Sequence, residues 1–91
     1  MAETMRNGLE VFFQISSKVT YAALDDVVSG EPALFKVIDS AVVSGDTVSV
    51  VLADGSTLAG DALLIDAMNV LVTRVNSAGS TISVSEFGLF R

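Results

Sequence analysis

An alternating stretch that ends in a tight-turn signal constrains the fold more than any other feature of this sequence. Residues 47–52 (TVSVVL) carry Val or Leu at every second position, so these side chains would share one face of a strand. Asp54-Gly55 follows directly, and this dipeptide between apolar stretches is a strong signal for a two-residue hairpin turn. The sequence therefore predicts a β-hairpin at this point.

Four further stretches in the second half of the chain are rich in β-branched and aromatic residues and are separated by turn residues. We predict strands at residues 56–65, 69–75, 81–85 and 87–90. Gly60 lies inside the first of them and indicates a bulge or a sharp bend. Five short strands in about 45 residues predict a mainly β fold, a small and strongly bent antiparallel barrel.

The first 30 residues give weaker signals. Residues 9–15 (LEVFFQI) are rich in strand-forming residues without strict alternation, and we predict an edge or capping strand there. Residues 18–28 fit two structures: a helix with Ser17 as its N-cap and Gly30 just past its end, or a strand through Tyr21. The periodicity of the segment does not decide between them.

Residues 31–40 predict a helix. Pro32 falls where the first turn of a helix tolerates proline, and apolar residues follow at helical spacing, although the β-branched residues of the segment favour a strand. A chain of 91 residues is short for more than one domain. We therefore predict one domain over 1–91, in which 1–46 is an N-terminal extension with a helix near 31–40, and 47–91 is the five-stranded barrel.

The composition excludes several functions. The chain contains no Cys and no His, so it offers no thiolate nucleophile, no imidazole base and no Cys or His ligand for zinc. The remaining carboxylates, Lys residues and Tyr21 show no spacing typical of a catalytic site, so we predict neither an enzyme nor a cofactor. No apolar stretch has the length of a signal peptide core or a membrane-spanning helix, which predicts a cytoplasmic protein that does not enter membranes.

Charge and hydropathy bear on the partners. Five Lys and Arg against eleven Asp and Glu give a net charge of -6, which disfavours an ordinary basic nucleic-acid surface. Apolar residues make up 51% of the chain. Because a domain this small has much surface for its volume, an apolar excess of this size predicts burial against other copies, that is, a homo-oligomer.

The hairpin and the stretch after it resemble a known family. Residues 48–60 (VSVVLADGSTLAG) followed by 61–72 (DALLIDAMNVLV) resemble the first signature of the Sm-like family: an alternating strand, Leu-x-Asp-Gly, a glycine five residues later, and an Asp before a short apolar strand. About half of the chain takes part in this resemblance. Residues 82–86 (ISVSE) stand where the family's second signature carries other residues, so that signature is not matched.

The resemblance implies a ring of about five to seven copies, formed by pairing the edge strands of neighbouring barrels. It also implies that single-stranded RNA or DNA binds at the pore without catalysis. There, Met68 would stack on a base, Asn69 would contact its edge, Asp66 would orient the loop, and Ser85 and Glu86 would line the second loop. Lys18 and Lys36 are candidates for a basic face of the ring.

Two simpler interpretations stay open. Met68 can equally be a residue that fills a gap in the core, and Asn69 an ordinary turn residue. The acidic composition and the unmatched second signature favour a different kind of function, a ring used as a structural or assembly module whose partner is a protein.

Overall fold

The computed structural model describes residues 17–91, which form one antiparallel sheet and one short helix. The elements are β1 Lys18–Val19, β2 Ala33–Val37, β3 Thr47–Leu52, β4 Thr57–Asp61, α1 Ala62–Ala67, β5 Leu71–Asn76 and β6 Phe87–Phe90. The strands are ordered β1-β6-β2-β5-β3-β4 across the sheet. The predicted mainly β, barrel-like class is confirmed. The strand predicted at residues 9–15 lies outside the described residues.

The predicted hairpin joins β3 to β4. Leu52 N–H donates to the Ser56 carbonyl at 2.7 Å, and Gly55 adopts a φ of 91°, a conformation that favours glycine. The pairing of the two strands runs without interruption through Gly60, which stands opposite Val48, so Gly60 forms no bulge there. The irregularity lies on the other side of β3, where the register with β5 shifts between Val51 and Leu52.

The helix predicted near 31–40 is wrong, because this segment contains β2. Alternate residues of β2, Ala33 and Phe35, are fully buried, and Leu34 between them pairs with β5 on one side and β6 on the other. Neighbouring strands on both edges satisfy its backbone groups, and the β-branched residues suit that environment. Pro32 directly precedes the strand, a position that a sheet accepts. Residues 1–46 therefore contribute a central strand and are not simply an extension.

Three other predicted elements differ from the structure. Residues 18–28 form neither a helix nor a strand through Tyr21, since β1 ends at Val19 and a turn follows. The strand predicted over 56–65 ends at Asp61, where α1 begins. Residues 81–85 are turn and irregular chain, so the region 47–91 holds four strands and not five. The strands predicted at 69–75 and 87–90 are confirmed as β5 and β6.

Aromatic and β-branched side chains form the core. The ring centroids of Phe35 and Phe87 are 5.4 Å apart, and those of Tyr21 and Phe87 are 6.1 Å apart. The Tyr21 hydroxyl accepts from Val75 N–H at 3.0 Å and donates to the Asp26 carbonyl at 2.6 Å. These bonds tie the segment after β1 to β5, because a polar group placed beside the core needs partners.

The strand order leaves β1 and β4 at the two edges of the sheet. Thr57 and Ala59 on β4 are exposed and uncharged. Lys and Pro are common devices that keep edge strands from pairing with other chains, and β4 has neither. Among residues 17–91 no helix has the length and apolar character needed to cross a membrane.

Candidate interaction site

The helix α1 is short and is fixed firmly at its N-terminus. Asp61 is its N-cap, and its Oδ1 accepts from Leu63 N–H at 3.0 Å and Leu64 N–H at 3.3 Å. Its other oxygen, Oδ2, accepts from Gly45 N–H at 3.2 Å, which connects the helix to the loop before β3. At the other end Met68 is the C-cap, and Asn69 takes a left-handed φ of 55°, which ends the helix.

The outward face of α1 is apolar. Ala62 and Ile65 are buried in the core, so the remaining face points to solvent. The residues on that face are Leu63, Leu64, Ala67 and Met68, all exposed. The exposed fraction is 67% for Leu64 and 57% for Met68, which lie four residues apart on the same side of the helix. A surface helix normally carries polar residues outside, so this face has the character of an interface.

Asp66, predicted to orient the loop, bonds to the end of β2. Its Oδ1 accepts from Val37 N–H at 2.8 Å, on the edge of β2 where Phe35 N–H bonds to the Val70 carbonyl at 3.1 Å. The carboxylate thus continues the hydrogen-bond ladder past the start of β5. Lys36 Nζ lies 3.8 Å from the same oxygen and donates to the Asp66 carbonyl at 3.1 Å. Asp66 is therefore occupied within the chain.

Met68 and Asn69 differ in their freedom to bind. The Met68 side chain is exposed, so the alternative in which it fills the core is wrong. Asn69 is a turn residue at the end of α1, and its side-chain oxygen accepts from Lys36 Nζ. This contact occupies the lysine that was a candidate for a basic face, and it orients the Asn69 amide toward β2.

Ser85 and Glu86 lie in the turn before β6. Glu86 Oε1 accepts from Ser83 N–H at 2.8 Å, while Glu86 N–H donates to the Ser83 carbonyl at 2.9 Å. The Ser85 hydroxyl lies 2.9 Å from the Ser83 hydroxyl. The side chains of Ser85 and Glu86 therefore make their contacts within the turn that contains them.

Both predicted loops meet the same end of β2. Val37 N–H donates to Asp66, and the next residue, Ile38, donates its N–H to the Glu86 carbonyl at 3.0 Å. Successive N–H groups of an extended chain point in opposite directions, so the loops flank β2 on its two edges. The structure brings the loops to one end of the sheet, and their carboxylates bond to the chain itself.

Lys18 and Lys36 lie on one face of the sheet. Lys18 stands opposite Phe90 and Lys36 opposite Gly88, and these two β6 positions share the face away from the core. Three of the four cations in residues 17–91 donate to acceptors in the chain: Lys36, Arg74 to the Asn76 side chain, and Arg91 to the Glu31 carbonyl. Most basic groups of the described residues are thus engaged within the chain.

Sequence reasoning missed Leu63 and Leu64, which it assigned to a strand. The signal that identifies them is Asp61, an N-cap residue directly before an apolar run. Reading residues 62–67 as helix places Leu64 and Met68 on one side, away from the buried Ala62.

Comparison with known proteins gives no family for the chain: no protein-family model matches it, and neither curated proteins nor solved structures yield a match.

The Asp61 cap makes α1 sensitive to acid. The hydrogen bond from Gly45 N–H, with those from Leu64 and Leu63, lowers the pKa of the Asp61 carboxyl from its ordinary value. A carboxyl whose pKa is lower in the folded state than in the unfolded state stabilises the fold at pH values above its unfolded-state pKa. This stabilisation is lost as the pH falls through the folded-state pKa. We expect Asp61→Asn, which keeps a capping oxygen, to lose less stability below about pH 4 than the wild type. Urea denaturation across pH would measure this, and superimposable pH profiles would contradict it.

Proposed function

We propose that this protein is a non-catalytic, self-assembling structural module whose contacts are made with protein, and that a second copy of the chain covers the outward face of α1. The observation that carries the proposal is the solvent side of α1, formed by Leu63, Leu64, Ala67 and Met68 without a charged residue. Exposure of such a face in the monomer is unfavourable by about 25 cal/mol for each Å² of apolar area, so association that buries it is favoured.

The place of α1 beside an open strand supports a second copy as the occupant. Asp61 is both the last residue of β4 and the N-cap of α1, so the edge strand leads directly into the apolar helix. Among the described residues the other edge strand, β1, lies at the far end of the sheet. Copies that join one edge to the other are related head to tail, and such contacts close into a ring when the rotation between copies permits. The resemblance to Sm-like proteins is consistent with this arrangement.

The electrostatics of the described residues favour protein over nucleic acid as the partner. A nucleic acid binds a protein more tightly when clustered Lys and Arg side chains displace the counterions of its phosphate backbone. The net charge of this chain is -6, which opposes such binding. Lys36 is held by Asp66 and Asn69. Lys18 and Lys36 share a face around Phe90, and this is the surface to which a nucleic acid would bind. Nucleic-acid binding is therefore the alternative to a protein partner.

Two measurements on the full chain separate these functions. Light scattering over a range of concentrations is expected to give a mass several times that of one chain. Fluorescence anisotropy with labelled oligo(U), oligo(A) and oligo(dT) at low and high salt is expected to show no binding. A single-chain mass at every concentration would overturn self-assembly. Salt-dependent binding that Lys18→Gln weakens, and Arg74→Gln does not, would establish the nucleic-acid alternative.

A further inference from the structure

A second apolar surface lies on the outer face of the sheet, away from the core. Leu34 on β2 stands opposite Phe90 on β6 and opposite Leu71 on β5. Directly paired residues of antiparallel strands share a face, so these three side chains form a row across three strands. Leu71 is 52% exposed, and Leu34 and Phe90 are half-buried. We call this set of three residues the outer row.

The outer row is flattened at its β6 end by a glycine. The Phe90 ring lies directly over Gly88, since a Cβ placed on Gly88 would come within 2.7 Å of the Phe90 Cε2 atom. A side chain at this position would lift the ring away from the sheet. Lys18 on β1 stands opposite Phe90 and marks the end of the row at the sheet edge.

The described chain begins beside the outer row. Arg91 N–H donates to the Ser17 carbonyl at 3.0 Å, next to the pair formed by Lys18 and Phe90. The sixteen residues that precede Ser17 therefore join the sheet one strand away from Phe90. Among them, residues 9–15 (LEVFFQI) carry apolar side chains at the alternate positions 9, 11, 13 and 15.

The segment is long enough to cross the row. Seven extended residues span about 23 Å at ~3.3 Å each. The three strand spacings from β1 to β5 amount to about 14 Å at ~4.8 Å each. Residues 9–15 thus have the reach to cross from the edge of the sheet to Leu71, and alternate apolar side chains suit a flat apolar surface.

We propose that residues 9–15 of the same chain lie across the outer row, with Leu9, Val11, Phe13 and Ile15 turned toward it. The segment buries its own apolar residues and shields Phe90, Leu34 and Leu71 from water. The proposal uses side chains of the sheet and not those of α1, and it does not depend on self-assembly.

Disulfide trapping tests the proposal directly, because the chain contains no Cys of its own. The test variant carries Phe13→Cys with Leu71→Cys, and the control carries Phe13→Cys with Ala59→Cys, an exposed position on the far edge strand β4. A disulfide requires Cβ atoms about 3.5–4.5 Å apart. Mild oxidation is expected to give an intrachain disulfide in several-fold higher yield in the test variant. Equal yields would overturn the proposal, and so would disulfides that form only between chains.

A second pair of variants covers the case in which the cysteine variants fail to fold. Phe13→Gln is expected to lower the thermal unfolding midpoint by ~5 °C or more, because it places an amide against the row. Phe12→Gln, one position along and on the opposite side of an extended segment, is expected to change it little. Equal changes in the two midpoints, or no change in either, would overturn the proposal.

Discussion

Replacing Leu64 and Met68 together by Gln is expected to weaken self-association of the chain by about 20-fold or more. Burying a fully exposed Leu or Met side chain is worth about 1.5–3 kcal/mol, and each of these is more than half exposed in the single chain, so burying the exposed part is worth about 1 kcal/mol or more, or roughly fivefold in affinity for each. Gln has nearly the volume of Met and a similar helix propensity, so α1 itself should persist. Analytical ultracentrifugation of wild type and variant over a range of concentrations would measure the change.

Val27→Gln combined with Val43→Gln provides the matched control for this double variant. Val27 is 71% exposed and Val43 57% exposed, so the control removes two similarly accessible apolar side chains at positions outside α1. If self-association depends on α1, the control should associate like the wild type. Equal weakening by both would show that general surface hydropathy drives association. Unchanged association in the double variant would remove α1 from the interface, and circular dichroism would confirm that each variant is folded.

The helix α1 also shows where sequence reasoning failed. Its six residues, ALLIDA, are too few for a 3.6-residue period to be distinguished from a buried strand. The strand pattern of β4 continues into it with only Asp61 to mark the boundary. Local propensity therefore does not identify the outward face of α1. The capping function of Asp61 does identify it, because an N-cap residue predicts that a helix follows.

The parts predicted correctly have local causes. The hairpin of β3 and β4 follows from alternation and the Asp-Gly turn, both contained in a few consecutive residues. In contrast, β2 is a strand because β5 and β6 pair with it from either side, and those partners lie more than thirty residues away in the sequence. The apolar spacing of this segment also fits a helix, so it is the pairing with β5 and β6 that makes it a strand. The contacts of Asp66 and Glu86 with the end of β2 depend on the same long-range arrangement.

The alternation of β2 makes a prediction about stability that distinguishes the strand from the helix. In the strand, Phe35 is fully buried against Phe87, whereas Ile38, just past its end, is 47% exposed. We expect Phe35→Ala to lower the free energy of unfolding by about 3–5 kcal/mol, through lost burial and the cavity left behind. For Ile38→Ala we expect a loss of about 1 kcal/mol in the free energy of unfolding, since folding removes only part of this side chain from water.

A helix over 31–40 would reverse this order, because Leu34, Val37 and Ile38 would then form its apolar face. Urea denaturation of both variants measures the difference. Small domains are stable by only about 5–15 kcal/mol, so Phe35→Ala can leave too little folded protein for a reliable midpoint. Phe35→Leu keeps most of the apolar volume and gives a smaller loss of the same origin. A larger effect for Ile38→Ala than for either Phe35 variant would contradict the register of β2, and with it the position of Asp66 and α1 beside that strand.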